Sequence, residues 1–235
     1  MDQPFHAGEL AAQARAGLHA PGMTGIRPFM PDQHRDFFAL LPYLFVATVD
    51  AAGWPIATVL TGEPGFISSP DPTTLVVAAA PRAGEPGHQQ FRAGRPFGAL
   101  GLDFATRRRN RANGVIEAAD AGGLRLKVLQ SFGNCPQYIQ TRAVETAPAS
   151  MVPAETVAID APEVLAQIAD ADTFFVATVS GSALNGGRRH LASRRPAGLR
   201  QDRGRRTGRA GLPGQPVHEH LGQPGRGSAR GLAVR

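Results

Sequence analysis

Between Tyr43 and Leu129 a turn signal interrupts the chain every few residues, and no other feature narrows its possible folds as much. Tyr43 to Asp50 is dense in β-branched and aromatic residues, and Asp50-Ala-Ala-Gly53 supplies a hairpin loop. Pro55 to Thr61 alternates as a second strand. Gly65 to Ser68 and Thr74 to Ala79 flank the turn Ser69-Pro-Asp-Pro72, and residues 81–96 read as loop or weak helix. Phe97 to Phe104, Arg108 to Ala118 and Leu124 to Leu129 complete the set, the last two joined at Asp120-Ala-Gly-Gly123. Short strands at this spacing predict a mainly β chain (α+β) built on an antiparallel barrel. They argue against a doubly wound sheet, which needs long helices between its strands. Helical patterns are confined to residues 5–20, to Gln33–Leu41 between Pro31-Asp32 and Pro42, and to Pro162–Asp170.

One segment repeats. Phe45-Val-Ala-Thr-Val49 recurs as Phe175-Val-Ala-Thr-Val179, 130 residues on, and each copy follows a short helical pattern and precedes a Gly-containing turn. This predicts two related β units. Pro148 to Pro153 between them reads as a linker.

With 235 residues and 42% apolar composition the chain can bury a substantial core. Its longest apolar run, Leu40–Val49, has about half the length that crosses a bilayer. Asp2, His6, Glu9 and Arg15 interrupt any apolar leader, so the expectation is a cytoplasmic protein away from membranes. The single cysteine, Cys135, excludes an internal disulfide and any multi-cysteine metal site, and a small buried thiol is its expected role. No metal site is expected. The net charge of +6 is concentrated at one end: residues 188–235 hold 12 Arg and two acids, Asp202 and Glu219, while residues 1–187 carry a net −4. The sequence pI of about 10.8 therefore describes the tail, and whole-chain charge gives no argument for nucleic acid.

Three stretches carry chemistry. In Thr106-Arg-Arg-Arg-Asn-Arg-Ala-Asn-Gly114, a strand beginning at Arg107 would put Arg107, Arg109 and Arg111 on one face and Arg108 on the other. Clustered guanidiniums repel, and a phosphate that accepts their planar forks would relieve that repulsion. A solvated basic edge strand explains the same residues. The second stretch, Gln130-Ser-Phe-Gly-Asn-Cys-Pro-Gln-Tyr-Ile-Gln140, gathers amides, a hydroxyl and an aromatic around a forced turn, suited either to the edge of a polar heterocycle or to a loop whose amides satisfy one another. The third, Phe66-Ile-Ser-Ser-Pro-Asp-Pro72, offers two hydroxyls that could donate to phosphate or serve ordinary turn chemistry. No paired carboxylates, phosphate loop or dinucleotide fingerprint is present.

Taken together, Phe5-His-Ala-Gly-Glu, Phe29-Met-Pro-Asp-Gln-His34, Arg107-Arg-Arg-Asn-Arg111 and Ser131-Phe-Gly-Asn-Cys-Pro-Gln-Tyr-Ile-Gln140 resemble the pyridoxamine 5′-phosphate oxidase-related flavin-nucleotide-binding proteins over roughly residues 1–187. The resemblance implies a split β-barrel, usually a homodimer, with FMN at the subunit interface. By position it implies FMN contacts from Thr58, Val59 and Leu60, from Ile67, Ser68 and Ser69, from Arg107, Arg108, Arg109 and Arg111, and from Gln130, Ser131 and Asn134. It gives an expected division into a helical segment (1–42), a split-barrel FMN domain (43–145), a linker, helix and first strand of a second unit (146–187), and a tail (188–235). The activity it implies is a flavin-dependent oxidoreductase acting on a small redox substrate, without vitamin B6 oxidation. A non-catalytic flavin- or ligand-binding module is the alternative, and nucleic-acid binding through the tail a weaker one.

The tail departs from the family. After Asn185-Gly-Gly187 the relatives continue V-D-I-S-H-R, where this chain has Arg188-Arg-His-Leu-Ala-Ser193. The codons CGT CGA CAT CTC GCA TCG encode those six residues, and without the first base they read V-D-I-S-H. Codons for Gln215 onward, moved by the same single base, give N-P-F-M-N-T-L-G-N, a second family pattern. The stretch 180–235 has no Phe, Trp or Tyr, and 188–235 has 9 Gly and 4 Pro. Such a segment is expected to be disordered and out of frame, and it lacks the aromatic residues a base-stacking Arg-rich arm would use.

Overall fold

In the computed structural model of the chain, the described residues are 7–17, 25–85, 87–136, 139–144, 157–171, 173–179, 191–194 and 231–233 (7–9, 191–194 and 231–233 by backbone only). They form helices α1 (Ala7–Arg15), α2 (Asp32–Ala39) and α3 (Pro162–Asp170) and strands β1 (Tyr43–Val49), β2 (Pro55–Thr61), β3 (Ile67–Asp71), β4 (Thr74–Val77), β5 (Pro96–Asp103), β6 (Arg108–Asp120), β7 (Gly123–Gly133), β8 (Phe174–Val179), β9 (Leu191–Arg194) and β10 (Gly231–Ala233). The architecture is mainly β: an open seven-stranded sheet ordered β2-β1-β5-β6-β7-β4-β3 and a three-stranded sheet ordered β10-β8-β9. Every pairing is antiparallel. No helix among the described residues is long and apolar enough to cross a membrane.

Local chemistry explains the turns. Gly53 adopts φ 84°, closing the β1–β2 hairpin while the Asp50 carboxylate accepts from the Trp54 amide at 2.7 Å. The β3–β4 turn falls at Pro72-Thr73 instead of Ser69–Pro72, so Ser69 and Pro70 lie in β3. Proline is tolerated there because β3 is an edge strand whose register shifts between Ser68 and Asp71. Within β6 a bulge follows Asn113, and Gly114 sits so close to the neighbouring strand that a Cβ would collide with the Lys127 carbonyl oxygen.

Alternation gives the large sheet two unlike faces. One face curls around a core that takes Leu44 and Val46 from β1, Leu60 from β2, Ile67 from β3, Leu75 and Val77 from β4, Ala112 and Ile116 from β6 and Leu126 and Val128 from β7. Helix α2 plugs this core with Phe37 and Phe38, and the residues flanking it add Met30 and Leu41. The opposite face presents Tyr43, Phe45, Leu100, Leu102 and Phe104, and β8 covers it with Phe175.

Residues 5 and 6, Tyr138, the 148–153 linker and most of the tail lie outside the described residues. Within the tail the described segments are β9 and β10, and both pair with β8. A strand with two open edges offers backbone donors and acceptors to any extended segment within reach.

Candidate functional site

Strands β6 and β7 carry the polar residues of interest, and alternation sorts them into two clusters separated by the thickness of the sheet. The α2-side cluster is built on the register pairs Asn110 with Gly133 and Ala112 with Ser131. His34, one turn before Phe37 and Phe38 on the buried side of α2, shares a 2.7 Å hydrogen bond between its Nδ1 and Ser131 Oγ. Ser131 is fully buried, and its backbone exchanges hydrogen bonds of 2.9 and 2.8 Å with Arg27. Arg108 lies over the Phe37 ring at 4.6 Å and donates to the Gln33 carbonyl. Burial, then the charges of Arg27 and Arg108, hold the His34 imidazole below its ordinary pKa. The Asn110 side-chain nitrogen is buried here with no hydrogen-bond partner among the described residues.

The outer cluster lies on the face that β8 shares. Arg109 and Arg111 pair in register with Leu102 and Leu100, so both guanidiniums leave the sheet beside an apolar ledge. Arg109 donates to the Cys135 carbonyl at 2.9 Å. Arg111 is only 3% exposed, and its guanidinium carbon stands 6.0 Å from the Phe132 ring centre. Asn113 and Gln130 are opposite each other and buried, the Asn113 amide donating to Gln130 Oε1 at 3.5 Å. Two cations, two amides and an aromatic ring thus border a buried apolar cluster.

Several expected site residues fall elsewhere. Arg107 is not on the strand: it closes the preceding turn with φ 60°, so it does not share the face of Arg109 and Arg111. Gln130 and Ser131 belong to β7, not to a turn, and therefore point to opposite faces. Thr58 and Leu60 face the core side of β2, where Thr58 donates to Glu85 at 3.3 Å, while Val59 packs beside Phe45 on the outer face. Ile67 is core, and Ser69 accepts from Arg35 at 3.1 Å while donating to the Asp71 carbonyl, which is turn chemistry. Strand β3, which also carries Ser68, is at the sheet edge opposite β2, so the two strands do not form one ladder. Asn134 follows β7, its amide bonded to the Arg109 carbonyl. Cys135 is exposed rather than buried, because the chain leaves the sheet just before it.

Sequence reasoning passed over His34. Its signal was present: His34, Phe37, Phe38 and Leu41 have helical i, i+3, i+4, i+7 spacing, so the histidine belongs to the apolar stripe. Comparison of the chain with models of known protein families and with curated protein sequences finds no match to either.

Proposed function

We propose that the chain is a split-barrel flavoprotein that binds FMN on the outer face of β6 and β7, and that it passes electrons to or from a small redox substrate. The observation that carries this reading is the placement of Arg109 and buried Arg111 on one strand face, against the Asn113–Gln130 amide pair and the Leu100–Leu102 ledge. Two guanidinium forks suit a phosphate, and the amides suit the polar edge of a flat heterocycle whose rings the ledge and Phe132 could cover. The donor types present, guanidiniums and amides, are those such a ligand would use. When bound, the flavin supplies the redox chemistry. The protein's part is to hold the phosphate with Arg109 and Arg111, to orient the ring edge with Asn113 and Gln130, and to exclude water with Leu100 and Leu102.

The test compares FMN with riboflavin, which lacks the phosphate. Arg109→Ala together with Arg111→Gln should weaken FMN binding about 10-fold or more, since a hydrogen bond to a charged group contributes about 1.5–3 kcal/mol. Riboflavin affinity should hardly change. Equal losses for both ligands would remove the phosphate role from these arginines. Reduction of the bound flavin by a nicotinamide cofactor separates an enzyme from a binding module.

A further inference from the structure

The repeated pentapeptide packs against itself. The Phe45 and Phe175 rings stack with centroids 3.8 Å apart and planes inclined by 18°. Ala47, Val49 and Ala177 form one buried cluster, with Val179 and Ala57 packed against it. Alternate residues of the first copy thus lie with their counterparts in the second: 45 stacks on 175, and 47 and 49 share one cluster with 177 and 179. The surrounding backbone follows the same rule. Strand β1 is flanked by β2, next in the chain, and by β5; β8 is flanked by β9, next in the chain, and by β10. Across the gap β9 lies over β5 and β10 over β2. A two-fold axis parallel to β1 and passing between the sheets produces this exchange of neighbours, and no other simple rotation does. The helices agree, since α2 starts at Asp32 and α3 at Pro162, the same 130-residue offset that separates the pentapeptides.

We infer that the outer face of β2-β1-β5 is a self-complementary, two-fold interface, occupied in this chain by its own second repeat. Such a surface accepts any strand that presents Phe-Val-Ala-Thr-Val in this orientation. The chain carries that strand twice, so its own β8 fills the face and keeps the molecule monomeric. When β8 is lifted away, a second copy of the chain takes its place, setting Phe45 against Phe45. This inference holds whether or not the face also borders a flavin site.

Two measurements on the full-length chain test it. Sedimentation of the wild type should give the mass of one chain, Phe175→Glu should double it, and Phe45→Glu combined with Phe175→Glu should return it to one chain. A wild-type dimer, or a Phe175→Glu protein that is folded and stays monomeric, would overturn the inference. Disulfide trapping in a Cys135→Ser background decides the matter if Phe175→Glu does not fold. Ala47→Cys with Ala177→Cys should oxidise to a bridge within one chain, seen as faster migration on a non-reducing gel. A bridge between two chains, or none, overturns the internal arrangement. In the Phe175→Glu protein Ala47→Cys alone should cross-link two chains, because only a two-fold contact sets residue 47 against itself.

Discussion

The same five residues, Phe-Val-Ala-Thr-Val, occupy unlike surroundings in their two copies. At 45–49 every residue is buried, because β1 has the main core on one face and β8 on the other. At 175–179 burial alternates at first, with Phe175 and Ala177 covered and Val176, Thr178 and Val179 only partly so. The preceding helices diverge further. Helix α2 buries His34, Phe37 and Phe38, whereas α3 buries none of its residues and leaves Leu165 and Ile168 more than half exposed. A local sequence can therefore specify a strand without specifying how much it buries. That depends on whether later strands curl round to supply a second layer. In the first unit β3 to β7 supply it; in the second, the described residues after β8 are the short β9 and β10.

The largest effect should come from breaking the helix comparison at matched positions. Phe38 is fully buried, and Ile168, 130 residues on, is 55% exposed. Phe38→Ala should cost about 3–5 kcal/mol of unfolding free energy through lost burial and the cavity left behind. Ile168→Ala should stay within about 0.5 kcal/mol, as a surface change does. Denaturant unfolding of both variants provides the check. Similar losses would mean that α3 is as well covered as α2, and the contrast between the units would fall.

A smaller effect tests where the two copies meet. Phe45 and Phe175 stack, and an aromatic pair contributes about 0.5–1.5 kcal/mol beyond the area it buries. A double-mutant cycle of Phe45→Ala and Phe175→Ala should return a coupling of that size. A coupling near zero would separate the copies energetically and leave only their sequence identity.

Much of this was legible in the sequence, unevenly. Strand β2 and helix α3 have the limits read from the residues alone, since Pro55 and Pro162 mark their starts and local chemistry marks their ends. The candidate site was legible only in part. Alternation places Arg109 and Arg111 together once β6 is known to begin at Arg108, but the left-handed turn at Arg107 depends on how β5 folds back. Strand β7 runs on to Gly133 because the long β6 offers ladder partners up to Asn110, a tertiary cause absent from Gln130-Ser-Phe-Gly133 itself. The separation of β2 from β3 is likewise a matter of strand order, which no local signal carries.

The smallest effect concerns titration and sharpens the helix comparison. Position 34 of α2 is a histidine, and its counterpart 130 residues on is Val164, which cannot titrate. Burial and the charges of Arg27 and Arg108 lower the His34 pKa, so the folded protein favours the neutral ring while the unfolded chain titrates near 6.5. Between those two values the unfolded state binds more protons, so stability rises with pH through that window. The contribution is fully present above about pH 6.5 and is lost as pH falls below it toward the folded-state value. His34→Gln keeps a partner for Ser131 Oγ and removes the proton, so the fall in stability from pH 7 to pH 5 should be shallower than in the wild type. Urea midpoints across that range measure it. An unchanged slope would assign the acid sensitivity to carboxylates and leave His34 a neutral spacer, as Val164 is.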